Sequence, residues 1–490
     1  MQCPKYARWH VNRKDIYTTI QDELYGHMNM RTIGQEVEEL FLSQYDNYTT
    51  IDDPFDVDTT KQAIERGDSV IYQPVFKLDN LYVRWDLLVK NSSWRYDLIE
   101  IKSKTSIRGK SDKSMLYQDL LYDLSFQSYV VSHFLGNRFS GNVNLVYINK
   151  SFVKNGEVLV DDFFVQEYCR EELLSSAVMR SLLYTLAHTL VLDEQSFDDL
   201  YPYDGENPLL YFGRVTQKDS IFAIPWWYKI KPFITQWVAA HKYLVSDINE
   251  KDLLELTAYN WSWKNIAQSI KTIQEDEIAI DTHAIDKELS SLAYPLCFYD
   301  YETVATAIPL FDGYHPWQQI VVQYSMHIVH EDGHIDHKQS IIYPWTDTNK
   351  SVIDDFVRDI GDGYGTYIVW NKSFENGRND DIALLYPEYA HIFLAINELT
   401  FDLMDIFKNG LYFHPDFLGS ASIKKVLPVL TDISYDNLSV SHGGAATSLL
   451  QQLIVWSIAS NEVDDSIAML REYCSQDTWA MVRIWEEIRA

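Results

Sequence analysis

Two blocks of short apolar runs, separated by a long stretch of helical pattern, constrain the fold of this chain most strongly. The first block contains SVIYQPVFKL, LYVRWDLLVK and RYDLIEIKSK, followed by a helical pattern over Leu116–Leu135 and by VNLVYIN. The second contains PLCFYDYETV, QQIVVQYSMHIVH, QSIIYPW and TYIVW. Short runs rich in β-branched and aromatic residues, bounded by turn signals, predict strands. Strands mixed with helices predict an α/β fold for both blocks.

The length of 490 residues exceeds what one hydrophobic core usually supports, so we expect more than one domain. We predict an α/β domain over residues 1–165, a helical connector over 166–290 and a second α/β domain over 291–490. The stretch EELLSSAVMRSLLYTLAHTLVL is typical of the connector. The segment IGQEVEELFLSQY near the start has a helical period. The segment VDDSIAMLREYCSQDTWAMVRIWEEI at the end is also predicted to be helical.

Apolar runs in this sequence are too short to cross a membrane, because a spanning helix needs roughly 20 apolar residues. The opening MQCPKYARWHVNRK lacks the apolar core of a secretory signal. We therefore expect a cytoplasmic protein with no membrane partner. The four cysteines do not stand at CxxC spacing, which disfavours a zinc site or a disulfide framework. Two of them, Cys297 and Cys474, are expected to act as small buried hydrophobes.

The net charge of −30 argues against nucleic-acid binding, since a binder usually carries a basic face. Residues 1–270 hold 28 Lys and Arg against 37 Asp and Glu, and residues 271–490 hold 13 against 34. The acidic C-terminal half therefore suits a protein partner. A local basic edge that could meet DNA or RNA is nevertheless present in the first half. It consists of Lys102, Lys104, Arg108, Lys110 and Lys113.

Acidic residues stand inside the second apolar block. Asp300 and Glu302 are two residues apart in FYDYET, and the side-chain period of a strand places both carboxylates on one face. Glu375 follows the strand TYIVW, in WNKSFENG, and Tyr473 and Asp477 share one face of the terminal helix. Acids that meet repel one another unless a cation lies between them, and oxygen ligands suit Mg²⁺ or Mn²⁺.

Hydrolysis of a phosphodiester bond with two metal ions requires several converging acids. The predicted metal ligands of this half are Asp300, Glu302, Glu375 and Asp477. Tyr473 is expected to position the attacking water. The same acids are therefore predicted to be catalytic.

These motifs resemble the DEDD exonuclease superfamily of the DnaQ type, in its tyrosine variant. The resemblance rests on Asp-x-Glu, Asn-x-x-Phe-acid and Tyr-x-x-x-Asp, in that order, over roughly residues 290–490. It implies a ribonuclease-H-like α/β fold and 3′–5′ exonuclease activity. Its usual middle acid is Asp, where this chain has Glu375; a longer carboxylate can still reach a metal, and Asp402 or Asp405 is the alternative. FYDYET, HPDF, SIKKVLP and YCSQDTWAMV also resemble a poorly characterised bacterial family in which such a domain follows a RecB-like module.

A second set of polar residues lies in the first apolar block. Asp86 stands in YVRWDLLVK, and Glu100 and Lys102 share one face of the run DLIEIKSK. Two acids and a lysine on neighbouring strands can hold a metal ion and polarise an attacking water. Glu38, on the early helix, is predicted to be a further metal ligand. Gln127, on the helix that follows, is predicted to be catalytic together with Asp86, Glu100 and Lys102, and Asp123 lies one turn before it.

The order D…EIK…Q resembles RecB-like PD-(D/E)XK nucleases, over roughly residues 1–165. The opening CPKYARW is similar to the start of that module. Some relatives carry an iron–sulfur cluster bound by one early and three later cysteines; Cys3 has no such later trio, so we expect no cluster. Gln73 stands where this family has an acid.

We therefore predict a metal-dependent nuclease with two sites. The acidic charge, Gln73 and Glu375 favour an alternative, which is a non-catalytic nucleic-acid-binding or scaffold protein built on degraded nuclease folds. An acidic protein that contacts only another protein is a further alternative.

Overall fold

The computed structural model describes residues 30–109, 115–190, 192, 218–260, 263–343, 348–435, 438–440, 443–455 and 458–489. Helices and several mixed sheets alternate along them, so the prediction of a mixed α/β protein is confirmed. Two compact units can be distinguished. Unit 1 contains the described residues from 30 to 192 and residues 305–318, and unit 2 contains those from 218 to 304 and from 319 to 489.

Unit 1 is built on a six-stranded sheet with the order β1-β2-β5-β6-β7-β8, beside a separate β3–β4 hairpin. Its strands are β1 (Thr49–Thr50), β2 (Val70–Tyr72), β3 (Val75–Leu78), β4 (Leu81–Arg84), β5 (Leu87–Lys90), β6 (Tyr96–Lys102), β7 (Phe139–Ile148) and β8 (Phe164–Tyr168). Its helices are α1 (Met30–Leu42), α2 (Val57–Arg66), α3 (Gln118–Leu135), α4 (Val160–Phe163) and α5 (Ser176–Leu190).

This sheet contains both antiparallel and parallel pairs of strands. β2, β5 and β6 are antiparallel neighbours, whereas β7 runs parallel to β6. A parallel neighbour needs a crossover connection, and α3 provides it. The helix contributes Leu120, Leu124 and Val130 to the main core of the unit. Phe76 and Trp85, from other parts of the unit, belong to the same core.

Two predicted strands are each interrupted near their middle. SVIYQPVFKL divides into β2 and β3 at Gln73 and Pro74, and LYVRWDLLVK divides into β4 and β5 at Trp85 and Asp86. The two breaks pair with each other: Gln73 N–H donates to Asp86 O at 2.8 Å, and Trp85 N–H donates to Pro74 O at 3.1 Å. Gln73 has a φ of 56°, and proline cannot donate to a ladder. Asp86 therefore lies at a bend just before β5 and not inside a strand.

Unit 2 begins with helices and ends with a long one. Its helices are α6 (Lys231–Ala239), α7 (Glu250–Tyr259), α8 (Lys264–Glu275), α9 (Thr282–Leu289), α10 (Lys350–Ile360), α11 (Lys372–Leu385), α12 (Ala390–Glu398), α13 (Met404–Lys408), α14 (Ile423–Leu430), α15 (Gly443–Ile454) and α16 (Val463–Arg489). Its strands are β9 (Ala279–Ile280), β10 (Leu296–Val304), β11 (Ile320–Val329), β12 (Ile335–Ile341), β13 (Thr366–Val369), β14 (Thr400–Asp402) and β15 (Tyr412–Phe413).

The main sheet of unit 2 has five strands in the order β12-β11-β10-β13-β14. β10, β11 and β12 form an antiparallel meander, and β13 and β14 run parallel to β10 on its other side. Every residue of β11 is buried. Helix α16 packs against β10, β11 and β12, and α10 packs against β11 and β12. Strands covered by helices read as continuous apolar runs, as QQIVVQYSMHIVH does.

No helix among the described residues is both long enough and apolar enough to cross a membrane.

Gly365 lies just before β13, where two chain segments approach closely. A Cβ atom on Gly365 would lie 2.2 Å from the Ala293 carbonyl oxygen and 2.6 Å from that of Tyr294. We expect Gly365→Ala to lower the free energy of unfolding by about 1–3 kcal/mol, because backbone atoms must move. Urea denaturation would measure it.

Gly377 is the matched control, because it lies within α11 and a Cβ there meets nothing within 4 Å. Gly377→Ala should raise the stability by about 0.5–1 kcal/mol through helix propensity. Equal stability of the two variants would contradict the predicted close approach.

Candidate functional site

The C-terminal candidate site is built on β10, which carries Asp300 and Glu302 on one face. Opposite them on β11 lie Ser325 and Gln323. The Gln323 side chain is fully buried and its Nε2 donates to the carbonyl oxygen of Leu470, on α16, at 2.9 Å. This bond attaches α16 to the sheet beside the two acids, so that the next turns of the helix face β10.

Glu375 is the acid that reaches this position from the first turn of α11. It is 3% exposed, and its carboxyl group hydrogen-bonds to that of Asp300. Asp402, at the end of β14, instead accepts backbone N–H bonds from Lys372 at 3.0 Å and Met404 at 3.1 Å. Asp402 therefore fixes the start of α11, and Asp405 is exposed. Of these acids, Glu375 is the one that joins Asp300.

Helix α16 contributes Tyr473, Cys474 and Asp477, all buried. Asp477 accepts a 2.6 Å hydrogen bond from the Tyr435 hydroxyl. The ammonium group of Lys424, on α14, lies over the rings of Tyr435 and Tyr473, at 5.3 and 5.2 Å from their centroids. The predicted acids and Tyr473 therefore meet at one place, with a lysine and a second tyrosine beside them.

Lys424 and Tyr435 were not predicted as site residues. Lys424 lies in the motif SIKKVLP, but no local pattern distinguishes it from the exposed Lys425. Tyr435 stands in a loop and has no periodic context. Both contacts depend on how the chain returns to β10, which local sequence does not encode.

The surroundings of the site favour the protonated form of its carboxyl groups. Burial, followed by repulsion from Asp477, raises the pKa of Glu302 to about 8. Burial also raises the pKa of Glu375 to about 8 and that of Asp477 to about 6. The pKa of Asp300 is raised well above its ordinary range by burial and by the surrounding acids. A cation among these groups would reverse the effect, because it favours the charged forms.

Donor atoms in this cluster are suitably placed for a metal ion. One oxygen each from Asp300 and Glu302 and the sulfur of Cys474 lie within 4.8 Å of one another. Oε2 of Glu375 is buried and has no hydrogen-bond partner. A buried carboxylate oxygen without a partner is costly, and a metal ion would satisfy it.

The N-terminal candidate site lies at the end of β6. Lys102 Nζ is 2.6 Å from Oε1 of Glu100 and 3.7 Å from Oδ2 of Asp123. Asp86, at the bend before β5, accepts a 2.6 Å hydrogen bond from the Ile101 N–H. The bend and the end of β6 therefore hold the predicted acids and lysine next to each other.

Glu38 faces the same cluster from α1. Its Oε2 accepts hydrogen bonds from the Tyr72 hydroxyl at 2.9 Å and from Gln73 Nε2 at 2.7 Å. Gln127 Nε2 donates to Asp123 Oδ1 at 3.0 Å. Gln73, where an acid was expected, thus donates to a predicted metal ligand instead of adding a charge.

Charge in this second site is partly balanced by the protein. Burial and the nearby Glu100 raise the pKa of Asp86 well above its ordinary range, and burial raises that of Glu100. Burial alone would lower the pKa of Lys102, but attraction to Glu100 raises it overall. Oε2 of Glu100 is buried without a hydrogen-bond partner. This oxygen is free to bind a metal ion.

The predicted basic edge is largely paired with acids in the described part of the chain. Lys104 lies 3.6 Å from Asp119, and Arg108 contacts Glu167 at 2.7 Å and Glu172 at 2.9 Å. Lys110, Lys113 and the early Cys3 lie outside the described residues. The described cations therefore leave little uncompensated positive charge.

Part of unit 2 matches a known family model. Residues 297–422 match the model of a family described as a domain of unknown function, DUF2779. The matched range contains Asp300, Glu302 and Glu375 and ends before Tyr473 and Asp477. This match supports the predicted resemblance to a poorly characterised family.

Sequence relatives of this chain occur in Mycoplasma and Ureaplasma. The uncharacterized protein MG366 homolog of Mycoplasma pneumoniae is 31% identical over 207 residues, which cover 38% of this chain and 31% of that protein. The uncharacterized protein UU173 of Ureaplasma parvum is 28% identical over 312 residues, which cover 58% of this chain and 41% of that protein. The chain spans less than half the length of these curated relatives. No solved structure matches it.

Glu302 should make the stability of the metal-free protein depend on pH. Its folded-state pKa of about 8 exceeds the ordinary value of 4.5, so folding strengthens proton binding. The resulting stabilisation is fully present below about pH 4.5 and is lost as the pH rises through about 8. In EDTA, the free energy of unfolding should therefore fall less steeply with pH in Glu302→Gln than in the wild type between about pH 5 and about pH 8. The two slopes should differ by up to about 1.4 kcal/mol per pH unit.

Urea denaturation at several pH values would measure this slope. Glu398→Gln, which changes an exposed acid at the end of α12, should keep the wild-type slope. A Glu302→Gln slope equal to that of the wild type would show that Glu302 does not carry the effect.

Proposed function

We propose that this chain is a metal-dependent nuclease that hydrolyses phosphodiester bonds of DNA or RNA. Its principal site would be a DEDD-type 3′–5′ exonuclease site in unit 2, and a RecB-like site in unit 1 would be the second. The observation that carries the proposal is the meeting of four buried or partly buried acids from three separate elements. They are Asp300 and Glu302 on β10, Glu375 on α11 and Asp477 on α16.

Strand order supports the proposed class of fold for unit 2. Numbered within its sheet, the strands run 3-2-1-4-5, with the second strand antiparallel to the others. This order is similar to that of ribonuclease-H-like domains, whose acids also begin on the first strand. In unit 1, the succession β2, β5, β6, α3 and β7 is similar to a PD-(D/E)XK core, with the acids at the bend before β5 and the end of β6.

Residues of unit 2 can be given individual roles. Asp300, Glu302, Glu375 and Asp477 would hold Mg²⁺ or Mn²⁺, which would supply an activated water and stabilise the leaving oxygen. Tyr473 shares a hydrogen bond with Asp477 and is 3% exposed, so its hydroxyl is held in one place. We assign it the positioning of the attacking water. Lys424 adds a positive charge beside the acids, which suits a phosphate group.

Residues of unit 1 divide in a similar way. Glu38, Asp86 and Glu100 would hold the metal ion, and Lys102 would polarise the attacking water and offset charge on the phosphate. Gln127 Nε2 donates to Asp123, which lies 3.7 Å from Lys102, so the Gln127 amide lies near this site. It would orient groups at the edge of this site.

A non-catalytic nucleic-acid-binding or scaffold protein is the second candidate. It is favoured by the neutral Gln73 beside Glu38 and by the ion pairs that occupy Lys102 and Arg108. A protein of this kind would bind nucleic acid without metal-dependent cleavage.

The C-terminal site predicts metal-dependent cleavage that needs Asp300. The purified chain should shorten end-labelled single- or double-stranded DNA or RNA with Mn²⁺ or Mg²⁺, but not with EDTA. Asp300→Asn should reduce the rate by at least about 100-fold, since a metal ion supplies several kcal/mol of charge stabilisation. Glu398→Gln should retain the wild-type rate. Cleavage equally fast in Asp300→Asn would show that the measured activity does not come from this site.

The N-terminal site predicts a separate effect of Lys102. Lys102→Met should abolish any cleavage that persists in Asp300→Asn. The reason is that no other lysine is predicted to polarise the attacking water in the site of unit 1. Lys104→Met is the matched control, since Lys104 lies two residues later and its side chain is 54% exposed. Binding of DNA or RNA without any cleavage, in all variants, would favour the scaffold candidate.

A further inference from the structure

We propose that the acidic cluster of unit 2 is a mixed sulfur–oxygen site, in which Cys474 joins Asp300 and Glu302 in binding a thiophilic divalent ion, with zinc as the expected occupant. The inference rests on the same cluster as the proposed function, but it does not require hydrolysis. It also changes the role expected for Cys474, which the sequence indicated to be a small buried hydrophobe.

The position of Cys474 follows from the packing of α16. The helix is attached to β11 through Gln323 and Leu470, and Cys474 lies one turn after that bond. Its side chain is fully buried. In this position its sulfur and one oxygen each of Asp300 and Glu302 lie within 4.8 Å of one another.

These separations suit a common metal ion. Zinc binds sulfur at about 2.3 Å and carboxylate oxygen at about 2.0–2.2 Å. Two ligands of one tetrahedral ion are then about 3.5 Å apart. The three donor atoms need to approach by only about 1 Å, which small side-chain rotations provide.

A further carboxyl group, that of Glu375, lies beside Asp300. Glu375 is 3% exposed, its carboxyl group hydrogen-bonds to Asp300, and its Oε2 has no hydrogen-bond partner. A buried carboxylate oxygen without a partner is costly, and a bound metal ion would satisfy it. A tetrahedral zinc ion needs four ligands, so Glu375 or a water molecule would complete the set begun by Cys474, Asp300 and Glu302.

The sulfur atom determines which ions the site prefers. Magnesium takes oxygen ligands, whereas thiolate sulfur selects zinc and similar ions. As the metal–sulfur bond forms, the thiol proton is released to solvent, and no oxidation or reduction occurs. The site should therefore bind zinc in preference to magnesium, and zinc should compete with it for the same acids.

Cobalt(II) is a suitable probe, because its bond to a thiolate gives a charge-transfer absorption in the near ultraviolet. The metal-stripped full chain should show this absorption on titration with Co²⁺, and Cys474→Ser should lose it. Zinc affinity, measured by calorimetry, should fall at least about tenfold in Cys474→Ser. Cys297→Ser is the matched control, since Cys297 is also fully buried on β10 and should leave both readouts unchanged.

Circular dichroism and thermal unfolding would confirm that the variants fold, and Cys474→Ala provides a second variant if the serine is not tolerated. The same cobalt absorption in wild type and in a folded Cys474 variant would overturn the inference. So would an absence of the absorption in the wild type. Sulfur–cobalt absorption without nucleic-acid cleavage would contradict only the proposed function, whereas manganese-dependent cleavage without that absorption would contradict only this inference.

Discussion

Repulsion among buried carboxyl groups is the constraint on which the arrangement of unit 2 depends. Asp300, Glu302, Glu375 and Asp477 come from β10, α11 and α16, and packing these elements together forces their acids into a small, poorly hydrated space. Charged groups in such a place cost several kcal/mol each unless protons or cations balance them. The raised pKa values of the four acids express this cost in the metal-free state.

The surrounding contacts determine where the acids stand but do not remove the repulsion. Gln323 holds α16 to the sheet, Asp402 fixes the start of α11, and Tyr435 donates to Asp477. Lys424 supplies one positive charge, and burial lowers its own pKa. One partly desolvated lysine cannot balance four acids. The remaining negative charge must therefore be balanced by protons or by a cation.

Much of this site could be predicted from local sequence, because the relevant periods are short. The two-residue spacing of Asp300 and Glu302 and the four-residue spacing of Tyr473 and Asp477 each place side chains on one face of a regular element. The break at Asp86 was not predicted, because an apolar run can continue through a bend. The membership of residues 305–318 in unit 1 also depends on tertiary packing, including the 2.6 Å bond from Trp317 Nε1 to the Ser103 carbonyl.

The two candidate sites differ in how their charge is balanced, and this difference bears on how each can use a metal ion. In unit 1, Lys102 contacts Glu100 directly, and Gln73 replaces an acid next to Glu38. That site is partly neutral before any metal binds, so an added ion gains less electrostatic free energy there. In unit 2 the acids outnumber the nearby cation, and an ion would replace their mutual repulsion with attraction. A bound metal ion would therefore stabilise the site of unit 2 more than the site of unit 1, whose charges are already partly balanced.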